Sequence, residues 1–272
     1  MNNTPLRAFA RYASLSTLGM IATSCYILAD TFFVAQGLGT NGLAALNLAI
    51  PVYNVIHGTG LLLGMGGATK FAILKSQGAH RRANTVYTHT LVIAAAAAVV
   101  FMAAGLFGAP VLAALLGAKG EIAGMTATYL RVLLLFSPAF LLNDLFVCFV
   151  RNDGAPSLSM AATVVGSLAN VVMDYIFIFP CGLGIFGAVL ATGFSPVIGI
   201  CIQAPHWAAR RCGFRPQASH PNPRLAGQLL GLGVPALLEQ LSGAVVMITF
   251  NALILRQAGN TGVAAYGVVA IH

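Results

Sequence analysis

Apolar runs of about 20 residues or more, broken by short polar stretches, set the pattern of the chain. Runs of that length cross a hydrocarbon core of roughly 30 Å as α-helices and far exceed what a membrane β-strand needs. The pattern predicts spans over residues 11–36, 43–71, 88–107, 126–150, 156–179, 184–208 and 225–256. An eighth begins near Val263 and stops at His272, too short to cross. Pro51 and Pro138 fall inside spans and predict kinks, whereas Pro156 falls in a first turn, where proline is tolerated. The connectors are the turn GLGTNG (37–42), a polar segment at 75–84, the turn RNDGAP (151–156) and a basic, proline-rich stretch at 210–224 that reads as a solvated linker.

Composition agrees with this pattern. The 272 residues are 58% hydrophobic and only 7% charged, with a mean hydropathy of +0.86, too little polar surface to cover a soluble globule. The net charge of +8 raises the question of a nucleic-acid partner, but the positions of the charges answer it. Arg7 and Arg11 precede the first span, Lys70, Lys75, Arg81 and Arg82 follow the second, Arg151 follows the fourth, and Arg210, Arg211, Arg215 and Arg224 follow the sixth. Basic residues in alternate loops are the positive-inside bias, so the expected partner is a bilayer, with the N-terminus in the cytoplasm. No small-residue processing site follows the N-terminal stretch, which predicts insertion as a signal anchor. Cys25, Cys148, Cys181, Cys201 and Cys212 form no CxxC pair and predict neither a zinc site nor a disulfide framework.

The chain also repeats itself. Gly39, Gly42, Ala44 and Ala45 recur as Gly259, Gly262, Ala264 and Ala265, at a constant offset of 220 residues. Six spans separate the copies, so both enter the membrane from the same side, as parallel repeats do. Extending the offset predicts a complete protein of about 440 residues and about twelve helices. The fold class is therefore an all-α, polytopic helical bundle. Its expected divisions are a six-helix lobe (1–209), a cytoplasmic basic linker (210–224) and the start of a second lobe (225–272), which makes the chain a fragment of a longer protein.

Few polar residues interrupt the apolar runs, which makes each of them informative. A carboxylate near the middle of a membrane helix costs roughly 2.5 to 3.5 kcal/mol on insertion scales, so Asp30 is expected to face a protein interior or cavity and to bind something. Asn170 and Asp174 are spaced i, i+4 and share one helix face. Counted from the outer ends of their spans, Asp30, Asp174 and Thr192 lie at one depth. Two carboxyls with a hydroxyl and an amide suit Na⁺ when both are ionised, or a shared proton when one is not. Glu239, four residues after Pro235, is the one acid beyond residue 210. Asn47, Asn54 and His57 are candidates for a cavity wall, and Arg131 and Asp144, near opposite ends of their span, suit the membrane interface. The run Gly64, Met65, Gly66, Gly67, Ala68 lacks the GxxxxGK[ST] spacing and a preceding strand, so it predicts close helix packing rather than phosphate binding.

The stretch YILADTFFVAQGLGTNGLAALNLAIPV, followed by GMGGATKFAI, resembles the first two helices of the multidrug and toxic compound extrusion (MATE) transporters, in their bacterial DinF-like branch. PALLEQLSGAVVMITFNALILRQAGNTGVAAYGVVAI resembles the seventh helix and the start of the eighth in the same branch. The resemblance implies antiport of drug-like organic cations against H⁺ or Na⁺ across the bacterial inner membrane, through two six-helix lobes that rock about a central cavity. It implies that Asp30, Asn170, Asp174 and Thr192 hold the coupling cation, with Tyr129, Asn143 and Glu239 as further members. No cofactor beyond the coupling ion is implied.

Two other functions are weighed against this one. A lipid-linked oligosaccharide flippase of related fold would carry a strongly basic cavity, whereas the basic residues here lie mainly in the loops. An intramembrane hydrolase would need a GxSG-type serine with a histidine, or HExxH, and neither occurs. The fragment alone, lacking an opposing lobe, is expected to insert without transporting.

Overall fold

The computed structural model describes the backbone of residues 5–208, 212–218 and 222–270; the side chains of residues 5–12, 16, 256 and 258–270 lie outside that description. Among the described residues the regular elements are helices: α1 (Pro5–Ser76), α2 (His80–Leu115), α3 (Glu121–Leu135), α4 (Ser137–Asn152), α5 (Pro156–Ile178), α6 (Gly184–Ala208) and α7 (Pro223–Ala270). Their apolar lengths suit a bilayer, and large side chains point outward from them, with Phe107 84% and Leu115 78% exposed. The chain is a multi-pass membrane protein.

Two expected spans make up α1, and they join at one residue. Gly39, at φ 65° and ψ −158°, is its one non-helical position, so the expected six-residue turn shrinks to a single glycine. A side chain rarely tolerates that torsion. The expected fourth span is the pair α3 and α4, bent by 50° at Phe136, with Pro138 in the first turn of α4. The bend turns the Phe136 ring toward α6, where it meets Phe194 edge-on at 5.4 Å and lies against Gly193.

Helix ends differ from the sequence expectation wherever a helix outruns its apolar stretch. α2 begins at His80, inside the expected connector, because HRRANTVY continues the helix into the polar zone. The expected start of an eighth helix near Val263 falls within the helical assignment of α7, and its side chains, with residues 271–272, lie outside the described residues.

Small residues set the closest approaches, as the glycine run predicts. Gly64 faces Cys148 and the Asp144 carbonyl of α4, while Gly67 faces Thr90 of α2 and Phe149 of α4. Gly66 and Gly233 bring α1 and α7 into backbone contact: a Cβ on Gly66 would meet the Leu229 carbonyl, and one on Gly233 would meet three backbone atoms of Leu62. Backbone cannot swing aside as a side chain can. Gly233→Leu is therefore expected to cost about 3 kcal/mol by overpacking. Gly231→Leu, two residues away with open space around it, should cost little. Equal melting temperatures for the two variants in detergent would refute the backbone contact.

The segment expected to be a solvated linker is docked over residues 212–218. Phe214 is fully buried, with its ring 4.9 Å from Tyr87, 5.5 Å from Phe149 and 6.1 Å from Phe71. Backbone N–H groups continue the attachment along α2: Arg215 donates to Asn84 Oδ1 (3.1 Å), Gln217 to Thr88 Oγ1 (2.8 Å) and Asn222 to His89 Nε2 (3.1 Å). One buried aromatic and these hydrogen bonds outweigh the polar composition around them. Arg210, Arg211 and His220 lie outside the described residues.

Candidate functional site

Asp30 on the first limb of α1 and Asp174 on α5 are both buried, close enough for each carboxyl to act on the other. Two ionised carboxylates side by side in an apolar core repel each other unless a proton or a cation joins them. Asn170 stands one turn before Asp174, fully buried, with its amide oriented by its neighbours: Nδ2 donates to Asp174 Oδ2 (3.1 Å) and the oxygen accepts from the Thr192 backbone N–H (3.2 Å). The Thr192 hydroxyl donates to the Ala188 carbonyl (3.2 Å), and the buried Tyr129 of α3 lies nearby. Four helices thus meet at one polar knot. The structure brings together Asp30, Asn170, Asp174, Thr192 and Tyr129, the residues that depth and spacing singled out together with one looser candidate.

The knot has unused acceptor capacity. Oδ1 of Asp30 and Oδ1 of Asp174 are buried without a hydrogen-bond partner in the structure. Unpartnered carboxylate oxygens of this kind are costly unless something positive meets them. The donor set is all oxygen, which suits a proton or a hard cation such as Na⁺.

A cavity of about 600 Å³ opens beside the knot. Asn170 and Thr192 reach its wall, whereas Asp30 and Asp174 sit behind them. Glu239 and Gln240 of α7 line it together with Tyr26, Tyr53 and Asn143. Asn143 and Glu239 are therefore cavity residues outside the carboxyl knot. Asn143 Oδ1 accepts from Gln203 Nε2 at 3.4 Å. Glu239 is exposed and lines the cavity. Asn47 is fully buried away from this wall, and Asn251 Nδ2 donates to its carbonyl (3.4 Å). That carbonyl lacks its usual helical donor because the residue four further on is Pro51.

Asp144 corrects the interfacial expectation. It is 6% exposed and lies against His57 of α1, with Nδ1 and Oδ2 3.0 Å apart. A Cβ on Gly60, one turn from His57, would meet that same oxygen, so glycine makes room for the pair. Arg131 is exposed, in line with its expected surface position. The sequence did contain a signal for Asp144, an acid inside a predicted span. Its nearness to the span end in sequence masked it, because the 50° bend shifts where α4 lies relative to its neighbours.

At the basic end of the bundle Asp153, Cys212 and His206 offer ligand atoms within 4.8 Å of one another. The Asp153 oxygens are already taken: Lys75 Nζ donates to Oδ1, and His206 Nε2 (3.0 Å) and the Gly213 N–H (2.8 Å) donate to Oδ2. A lysine cation against the carboxylate and a full set of donors make this a structural clip.

Residues 16–176, more than half of the chain, match the MatE family. The multidrug export protein MepA of Staphylococcus saprophyticus is 26% identical over 253 residues, 92% of this chain and 56% of that protein. An inward-facing structure of a multidrug resistance MATE family transporter of the MOP superfamily is 29% identical, with a TM-score of 0.83 over 94% of this chain and 60% of the other. An outward-facing structure of a MATE family transporter is 28% identical, with a TM-score of 0.84 over 99% and 63%. The chain spans less than two thirds of the length of each. With its helix order, its glycine-packed limbs and more than half of its residues inside one family, the chain belongs to the MATE family of transporters.

Proposed function

We propose that the chain supplies one lobe, and the opening of a second, of an exporter that moves drug-like organic cations out of the cell in exchange for H⁺ or Na⁺. The observation that carries this is the meeting of Asp30 and Asp174 in the apolar core, one layer behind the wall of a 600 Å³ cavity. A proton or Na⁺ entering the knot neutralises it and changes the cost of hydrating the cavity beside it. Asn170 and Thr192, which touch both the knot and the cavity, transmit that change to a bound substrate. The role is transport, with no bond made or broken.

The family's multidrug exporters support the substrate class, and the similar fit to inward-facing and outward-facing relatives supports a lobe that moves as one body. The linker at 210–224 would then mark the division between lobes, with the basic end at the cytoplasmic face of a bacterial inner membrane and the N-terminus on that side. Arg151 is the one lysine or arginine among the described cavity residues, and it shares the wall with Asp144 and Glu239, which disfavours a lipid-pyrophosphate flippase.

Ethidium efflux from vesicles tests the proposal, with the chain alone and with the chain joined to the second lobe of a relative, under imposed pH or Na⁺ gradients. The joined protein is expected to respond to one gradient and thereby identify the ion; the chain alone is expected to be inert. A joined protein that inserts normally and responds to neither gradient would sink the coupling idea, and transport by the chain alone would remove the need for an opposing lobe.

A further inference from the structure

The cavity holds a second ionisable pair that the carboxyl knot does not explain. His57 and Asp144 meet at 3.0 Å on facing helices, far from each other in sequence, and both line the cavity. The His57 ring lies nearly parallel to Tyr53, 5.9 Å between centroids and 11° between planes, and Phe140 meets Tyr53 edge-on at 5.6 Å. An acid beside a wall of aromatic faces is what a lipophilic organic cation needs: a counter-charge in a poorly hydrated place and π-faces for its apolar body.

The histidine makes the charge of this corner depend on pH. With His57 neutral, the pair presents the full negative charge of Asp144 to the cavity. With His57 protonated the pair is neutral, and the counter-charge that a cation would meet is gone. Histidine is the side chain whose charge ordinarily changes between about pH 5 and 8. Among the described residues, the other titratable or charged groups around the pair are Tyr26 and Tyr53 of α1, Cys148 and Arg151 of α4, and Glu239 of α7. From α5 and α6 the cavity receives only uncharged side chains. Phenols and thiols ordinarily stay protonated across that window, and arginine stays charged. Glu239 is the one further group that needs a control.

We propose that the His57–Asp144 pair is a proton-linked cation subsite, separate from the Asp30–Asp174 knot, at which a proton on His57 and an organic cation compete for the Asp144 carboxylate. The proposal rests on the export of organic cations, and it adds a second place where pH acts on transport: directly on substrate affinity rather than through the coupling ion.

Ethidium binding to the purified chain in lipid nanodiscs, followed by fluorescence anisotropy at about pH 5 and about pH 8, tests it. Wild type is expected to bind about tenfold more tightly at the higher pH, and Asp144→Asn to bind about tenfold more weakly than wild type there. His57→Gln keeps a hydrogen bond to Asp144 without the titration; it should bind tightly at both pH values. Glu239→Gln should keep the wild-type pH difference. Wild-type affinity in Asp144→Asn, or an intact pH difference in His57→Gln, would overturn the subsite and leave the export proposal standing. Loss of the pH difference in Glu239→Gln would also overturn it, by placing the titration on that acid. Wild type that binds no ethidium at either pH would count against the export proposal itself, and the subsite falls with it.

Discussion

Asp30→Asn and Asp174→Asn, made singly in the two-lobed protein, are each expected to reduce gradient-driven ethidium efflux to background while leaving insertion intact. The two carboxyls are buried beside each other, so removing either leaves the other with no acidic partner to couple to. Because both act through one site, the double variant should be no worse than either single one. Asparagine is close to isosteric and needs less hydration than a carboxylate, so melting temperatures should hold or rise. Efflux that falls only by half in each single variant, and further in the double, would mean that the carboxyls act separately. Full efflux in both would make them structural and shift attention to Glu239.

Asp153→Ala is expected to be the most destabilising change at the basic end. The carboxyl is 1% exposed and gathers donors from three places: Lys75 from α1, His206 from α6 and the Gly213 N–H from the docked segment. Lys75 is 35% exposed, so water screens its share and the loss falls mainly on the other two donors. Leaving buried donors without an acceptor costs about 1 to 3 kcal/mol each, which puts the variant about 3 kcal/mol below wild type. For a chain of this size that lowers the melting temperature by roughly 10 °C. Cys212 supplies a second readout. It is buried, its thiol donates to the Phe214 carbonyl (3.1 Å), and burial pushes the thiol above its usual range. Releasing the segment should speed its alkylation several-fold. An unchanged melting temperature together with unchanged alkylation would show that Phe214 alone holds the segment.

The spans and the carboxyl knot were legible for a common reason: membrane thickness turns sequence position into depth. Counting residues from span ends places Asp30, Asp174 and Thr192 at one level, and the i, i+4 spacing adds Asn170. The His57–Asp144 pair was not legible, because joining two residues that far apart requires knowing how two helices are rotated about their axes and where the α3–α4 bend leads. Helix ends were misplaced at His80 because hydropathy marks where apolar surroundings stop, whereas backbone hydrogen bonds continue through HRRANTVY. The docked segment was missed because composition averages over a window; one phenylalanine among arginines and prolines disappears in the average yet fills a pocket of three aromatic rings.

Gly39 bears on how the chain enters the bilayer. With a single residue between the two limbs of α1, no long loop has to be handed across the membrane, which favours the limbs crossing together as a helical hairpin. Alone, the first limb carries the full insertion cost of Asp30, roughly 2.5 to 3.5 kcal/mol. Inserted as a hairpin, it brings the uninterrupted apolar surface of the second limb with it, and that surface offsets the acid. The glycine at the turn therefore ties the delivery of Asp30 into the membrane to the synthesis of the helix that follows it.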